Sequence, residues 1–210
     1  MINHGYVVMA SSVVASVECS LEVALVARRR AGDTTAFDEI YDTLNPRLFS
    51  FLRRIARNRT VAEDLLEETW LRLVLAREDL RPDTHLVPWL FTVAHNLFLS
   101  YCRSRAREQA YTSDLISLWP EQLSQSPFDM ASTNEFERCL ETALGELPSR
   151  YREVLLLVGV EGLHPAGAAL VCGVSGEALR QRLSRARLLL SQRLHDKGLS
   201  LETLSKKVSL

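Results

Sequence analysis

Arg180, Gln181, Arg182, Ser184, Arg185 and Arg187 lie close together near the C-terminus of a 210-residue chain. Their side chains carry the chemistry that reads nucleic acid. A guanidinium is a rigid fork of donors for guanine O6 and N7 or for a phosphate, and a glutamine amide pairs with adenine. Ala178, Leu179, Leu183, Ala186, Leu190 and Leu194 fall between them at steps of three and four, which predicts a helix buried along one face. Gly173-Val174-Ser175 reads as a glycine turn followed by an N-cap serine, and Pro165 suits the first turn of a short helix ending near Cys172. A short helix, a glycine turn and a capped helix bearing Arg and Gln spell a helix-turn-helix. From Pro165 to Lys197 the acids are Glu177 and Asp196, set against Arg180, Arg182, Arg185, Arg187, Arg193 and Lys197. That excess of positive charge suits DNA, although surface arginines also solvate helices of ordinary bundles.

A second charged set has the opposite sign. Glu63, Asp64, Glu67 and Glu68 crowd one helical stretch. Paired carboxylates do acid–base chemistry when a pocket splits their pKa values, but no partner residues accompany these. They read instead as an acidic helix face, which with Arg72 and Arg77 is either solvated surface or a dock for a basic partner. The sequence holds no P-loop, GxGxxG, GxSxG or HExxH motif. His85 and His95 lack companion ligands, and Cys19, Cys102, Cys139 and Cys172 form no CxxC pair. The expectation is a protein with no enzymatic activity, no metal, no cofactor, no small-molecule substrate and reduced thiols, with Cys102 and Cys172 packed inside helices.

These sets must be positioned by helices. Strand signals are sparse and helix formers dominate from about Glu22. One helix runs to near Arg30, a second follows an Asp33 or Thr34 cap and carries Phe37, Ile40, Tyr41 and Leu44, and Pro46 is expected to open a third. Asn58-Arg59-Thr60 caps the acidic helix from Val61 to Leu75. Arg81 to His85 forms a loop, and a further helix spans roughly Val87 to Arg107. From Glu108 to Leu147 eight acids face Arg138 alone, with Pro120 and Pro127 in the first part, which reads as a linker running into a new helix near Asn134. The fold expected is all-α: two small helical domains, 22–107 and 134–197, joined by an acidic linker over 108–133. A loosely ordered extension covers 1–21 and a tail covers 198–210. The net charge of −1 leaves any attraction for nucleic acid to local patches. No apolar run is long enough to span a membrane, and the start of the chain lacks the basic residues of a secretory signal, so a cytoplasmic location is expected.

Three strings carry a family resemblance. Ala62-Glu-Asp-Leu-Leu-Glu-Glu-Thr-Trp-Leu-Arg72 resembles the polymerase-binding segment of bacterial sigma factors. Pro88-Trp-Leu-Phe-Thr-Val-Ala-His-Asn-Leu-Phe-Leu-Ser-Tyr-Cys-Arg103 resembles the helix that opens the −10 promoter element. Glu146-Leu-Pro-Ser-Arg-Tyr-Arg-Glu-Val-Leu-Leu-Leu157, with the helix-turn-helix, resembles the −35-binding domain. Their order, covering roughly 33–107 and 134–194, is that of the extracytoplasmic-function group. The resemblance implies core RNA polymerase (its β′ clamp and β flap), promoter DNA and an anti-sigma factor as partners. It places polymerase contact at Asp64, Glu67, Glu68, Trp70 and Arg72, with Leu65 and Leu66 adding apolar area. It places −10 contact at Arg81, Asp83, His85, Thr92, His95, Asn96 and Arg103, with Trp89 at a core-spaced position. It places −35 contact at Ser175, Arg180, Gln181, Arg182, Ser184, Arg185 and Arg187, with Arg150 and Arg152 as phosphate holders. A regulator that binds DNA without engaging polymerase is the alternative, but it has no need of 61–72 or 88–103. Three residues depart from the family pattern: Pro88 on the −10 helix, and Gly167 and Ala168 in the first helix of the helix-turn-helix, where larger side chains are usual.

Overall fold

A computed structural model describes residues 24, 26–28, 31–76, 80, 81, 83–112 and 135–197. The extension over 1–21, the linker beyond Thr112 and the tail over 198–210 lie outside the described residues. Every regular element among the described residues is helical. The N-terminal half has α1 (Thr34–Ala56), α2 (Arg59–Leu75) and α3 (Leu86–Thr112). The C-terminal half has α4 (Glu135–Gly145), α5 (Ser149–Leu155, running into a π-helical turn at Leu156–Val160), α6 (Pro165–Val171) and α7 (Gly176–Asp196).

Asp33 caps α1 by accepting from the Thr35 amide at 2.9 Å and the Thr35 hydroxyl at 2.7 Å, while Arg28 reaches it at 2.8 Å. The Thr35 bonds, then Arg28, hold its carboxyl down at about 2. Pro46 does not open a helix; it sits inside α1. Proline removes one intrahelical donor. The apolar stripe Ile40, Leu44, Leu48, Phe51, Leu52 and Ile55 nevertheless stays in register across it, and each of these side chains is buried. Burial along one continuous face outweighs the lost bond. Arg57 ends α1 in the left-handed region at φ 53°, and Asn58 caps α2 by accepting from the Val61 amide. α3 extends five residues past the expected end at Arg107. It buries Leu86, Leu90, Phe91, Ala94 and Phe98 against α1 and α2.

In the C-terminal half, α7 is the hub, packing on α4, α5 and α6. Its buried face is Leu179, Leu183, Ala186 and Leu194. Gly173 turns the chain between α6 and α7 at φ +62°, a conformation that glycine adopts without steric cost. Ser175 then accepts from the Ala178 amide at 3.2 Å. Ser175→Ala is expected to cost about 1 kcal/mol of stability, as loss of a helix N-cap usually does. Denaturant unfolding checks this, and an unchanged midpoint would show the cap to be dispensable.

The two halves share one hydrophobic core. α3 packs on α6 and α1 on α5.

Candidate nucleic-acid interface

Three surfaces follow from this packing. The first is the exposed side of α7. With Leu179, Leu183 and Ala186 buried, the helical period leaves Arg180, Gln181, Ser184, Arg185 and Arg187 exposed and Arg182 half-buried. Glu177 organises the near end of this row: Arg180 donates to it, and Gln181 donates to its other oxygen at 3.2 Å. The Arg180 hydrogen bond holds the Glu177 carboxyl below its usual range. Ser175, whose hydroxyl oxygen is used by the cap, stands at the N-terminus of this helix. The arrangement presents a guanidinium-rich ridge of the width a major groove admits.

The second surface is the acidic face of α2. Asp64 and Glu67 are exposed, and Glu68 accepts from Arg72 at 2.7 Å. Trp70 and Leu65 do not belong to it. Trp70 is 7% exposed, lies edge-on to Phe37 and beside Tyr41, and donates its indole N–H to Asn45 Oδ1 at 2.9 Å. A buried indole whose N–H is satisfied within its own domain belongs to the core. The apolar residues open to solvent on α2 are instead Leu71, Val74 and Leu75, which the expected set leaves out. The sequence signal for them was available: they occupy the helical positions opposite Leu65, Thr69 and Leu73.

The third surface is the loop before α3 and the first turns of that helix. Arg81 and Asp83 pair at 3.2 Å on the exposed loop, and His85, Asn96 and Arg103 are also exposed. Thr92 is half-buried and donates to the Pro88 carbonyl at 2.7 Å. Trp89 packs half-buried against the core. His95 differs from its neighbours. It is 4% exposed, with Nε2 3.3 Å from Glu153 Oε2 of α5, so in this arrangement it faces the C-terminal half and not solvent.

Arg152 does not hold phosphate. It is buried and donates to the carbonyls of Leu144 (2.9 Å), Gly145 (2.8 Å) and Leu147 (2.8 Å), closing the C-terminal end of α4. Arg150 is exposed beside the Tyr151 ring. Burial pushes the Cys102 thiol up to about 11 and the Cys172 thiol up to about 12. Both are therefore neutral near pH 8. Alkylation by iodoacetamide, followed by peptide mass, is expected to be slow at both in the folded protein and to accelerate on unfolding. Rapid labelling of the native chain would contradict this. Among the described residues no group of three His, Cys, Asp or Glu side chains could hold a metal ion, and no helix is long and apolar enough to cross a membrane.

An all-helical protein with an arginine-bearing helix-turn-helix behind a three-helix unit that carries an acidic helix face has the architecture of a transcription initiation factor. Comparison with known proteins defines the family. Residues 40–108 match the model for Sigma-70 region 2, and residues 137–190 match the model for Sigma-70, region 4. The chain is 36% identical over 153 residues to the ECF RNA polymerase sigma factor EcfG of Rhodopseudomonas palustris, covering 73% of this chain and 82% of that one. It is 32% identical to the ECF RNA polymerase sigma factor SigM of Bacillus subtilis, covering 78% and 97%. Its fold is similar to that of the sigma factor RpoE from Bartonella quintana, solved in complex with the anti-sigma factor NepR. The TM-score there is 0.63 at 28% identity, over 76% of this chain and 96% of that one. The chain belongs to the sigma-70 family and, within it, to the extracytoplasmic-function group. It is a sigma factor that directs RNA polymerase.

Proposed function

We propose that each of the three surfaces carries one task of promoter recognition. The exposed face of α7 enters the major groove of the −35 element. Arg180, Gln181, Ser184 and Arg185 meet base edges and nearby phosphates there, while Arg182 and Arg187 grip the backbone. The loop from Arg81 to His85, with Thr92, His95, Asn96 and Arg103, takes the opened −10 strand, where flipped bases need a pocket and a basic track. Asp64, Glu67, Glu68 and Arg72 dock on the β′ clamp of core polymerase by charge complementarity, and Leu71, Val74 and Leu75 add apolar area beside them. We assign residues 22–107 to the polymerase and −10 unit, 134–197 to the −35 unit and 108–133 to the link between them. The protein acts in the cytoplasm as a non-enzymatic factor, and an anti-sigma protein is its expected antagonist, as NepR is a partner of the Bartonella sigma factor.

The observation that carries this reading is the segregation of charge. α2 of one half presents the exposed acids Asp64 and Glu67, and α7 of the other presents the exposed arginines Arg180, Arg185 and Arg187. A stand-alone DNA regulator has no use for the former. Reversing Glu67 and Glu68 to lysine should weaken binding to core polymerase by about tenfold or more, since like charges then face each other across the interface. DNA binding by α7 should be unchanged. Labelled-sigma titration with core polymerase measures the effect, and unaltered affinity would remove α2 from the docking surface.

A further inference from the structure

We infer that Glu177 is a positioning residue for base readout: its carboxylate fixes how the Gln181 amide faces the −35 duplex, and so sets a preference for adenine over guanine at one base pair. This rests on the −35 assignment of α7 above.

Glu177 is out of place by charge. It stands in the first turn of α7, three and four residues before Arg180 and Gln181, so the three share one exposed side of the helix. From Pro165 to Lys197 the only other acid is Asp196, at the far end of α7. An acid on a surface that meets DNA repels phosphate. Its ion pair with Arg180 does little for the fold, because the Arg180 and Glu177 side chains are 71% and 62% exposed and solvent screens them. A first-turn acid also suits the helix dipole, but that role asks only for charge near the helix start and for no particular partner.

The two partners of Glu177 use different oxygens. Arg180 donates to Oε2, and Gln181 Nε2 donates to Oε1 at 3.2 Å. Release of Arg180 to DNA therefore leaves the Gln181 bond in place. The Arg180 hydrogen bond, then that of Gln181, holds the carboxyl below its usual range, so it is ionised and can only accept. A free glutamine amide can turn over, so that its oxygen and nitrogen exchange places. Opposite an acceptor-only group it has one orientation, with the nitrogen towards Glu177 and the oxygen away. No other described residue bonds the Gln181 amide.

That orientation has a consequence for the base it meets. The bond to Glu177 takes one amide hydrogen and leaves one donor and one acceptor for DNA. Adenine presents an acceptor at N7 and a donor at N6, which this pair matches. Guanine presents acceptors at both N7 and O6, so Oε1 of Gln181 would face O6 with no hydrogen between them. An untethered amide escapes that clash by turning both its hydrogens to guanine. The tether removes the escape. Discrimination between the two purines thus belongs to Glu177 and Gln181 together and not to the glutamine alone.

Glu177→Ala, Gln181→Ala and the double variant test this in the holoenzyme, the full chain bound to core polymerase. Promoter duplexes randomised across the −35 element are bound, recovered and sequenced, and the ratio of adenine to guanine is read at each position. Alanine is the best helix former, so Glu177→Ala should keep α7, which helicity checks. Gln181→Ala should lower the ratio at one position. Glu177→Ala should lower it at that same position by roughly fivefold or more, the low end of what a bidentate contact supplies. Total recovery of DNA should hold or rise, because an acid has left the surface. The double variant should lose no more than Gln181→Ala does, as two residues acting as one unit require. A uniform gain in affinity with unchanged base ratios would show that Glu177 acts by charge alone and overturn the inference. A shift at a position that Gln181→Ala does not touch would make Glu177 the reader of a base of its own and also overturn it. If Gln181→Ala changes no ratio at any position, the −35 assignment of Gln181 is at fault, and the inference falls with it.

Discussion

Arg185→Ala is expected to lower affinity for the −35 duplex by roughly ten- to a hundredfold and to relax base preference at one position. That is the range for losing a bidentate arginine–guanine pair. The buried stripe Leu179, Leu183 and Ala186 fixes the rotation of α7, and Arg185 stands on the side facing away from it. Arg180→Ala should fall in the same range but nearer its lower end. Arg180 is held by Glu177 in the free protein, so its DNA contact replaces an existing ion pair rather than solvent alone. Arg187→Ala should weaken binding uniformly across sequences and reduce the salt slope by about 1, the mark of a lost phosphate contact. Fluorescence anisotropy on matched and mismatched duplexes at several salt concentrations separates these cases. Equal, sequence-independent losses for all three arginines would remove base readout from α7 and leave it only electrostatic attraction.

The largest effect on stability is expected at Arg152. Its guanidinium satisfies three backbone carbonyls at the end of α4, two of those bonds being buried. Arg152→Ala leaves the Leu147 carbonyl without its donor and takes one of two donors from each of the Leu144 and Gly145 carbonyls, which keep the Leu147 amide and Arg57, with a loss of about 3 kcal/mol and a fall in melting temperature of roughly 10 °C. Arg152→Lys keeps the charge but, as a point donor without the planar fork, should recover only part of the loss. Calorimetry or denaturant unfolding monitored by helicity decides the matter. A melting temperature within a degree of the parent for Arg152→Ala would show that water serves these carbonyls equally well.

The contrast between these two arginines shows where the sequence was legible. Around Arg185, leucines at steps of three and four, a glycine turn and an N-cap serine each act locally, so their pattern predicts the helix, its start and its exposed side. Arg152 lies on a short helix next to Arg150, and nothing local distinguishes a buried guanidinium from an exposed one. What decides it is the position of the end of α4, which only the tertiary packing supplies. Trp70 illustrates the same limit. It falls within a string that reads as a docking face, but Phe37, Tyr41 and Asn45 from α1 turn it inward. Pro46 misled in the opposite direction, because a local helix-opening signal is overridden by a hydrophobic stripe that continues through it. Gly167 and Pro88 were recognisable as unusual one at a time; that they touch is information carried by the fold alone.

The most direct test of the account is reconstitution with core RNA polymerase and a promoter library, reading transcripts with and without this protein. New start sites that share paired −35 and −10 motifs are the predicted result. Arg185→Ala should abolish those with weak −35 elements first. A protein that fails to bind core polymerase, or binds it without creating a single new start site, would contradict the account.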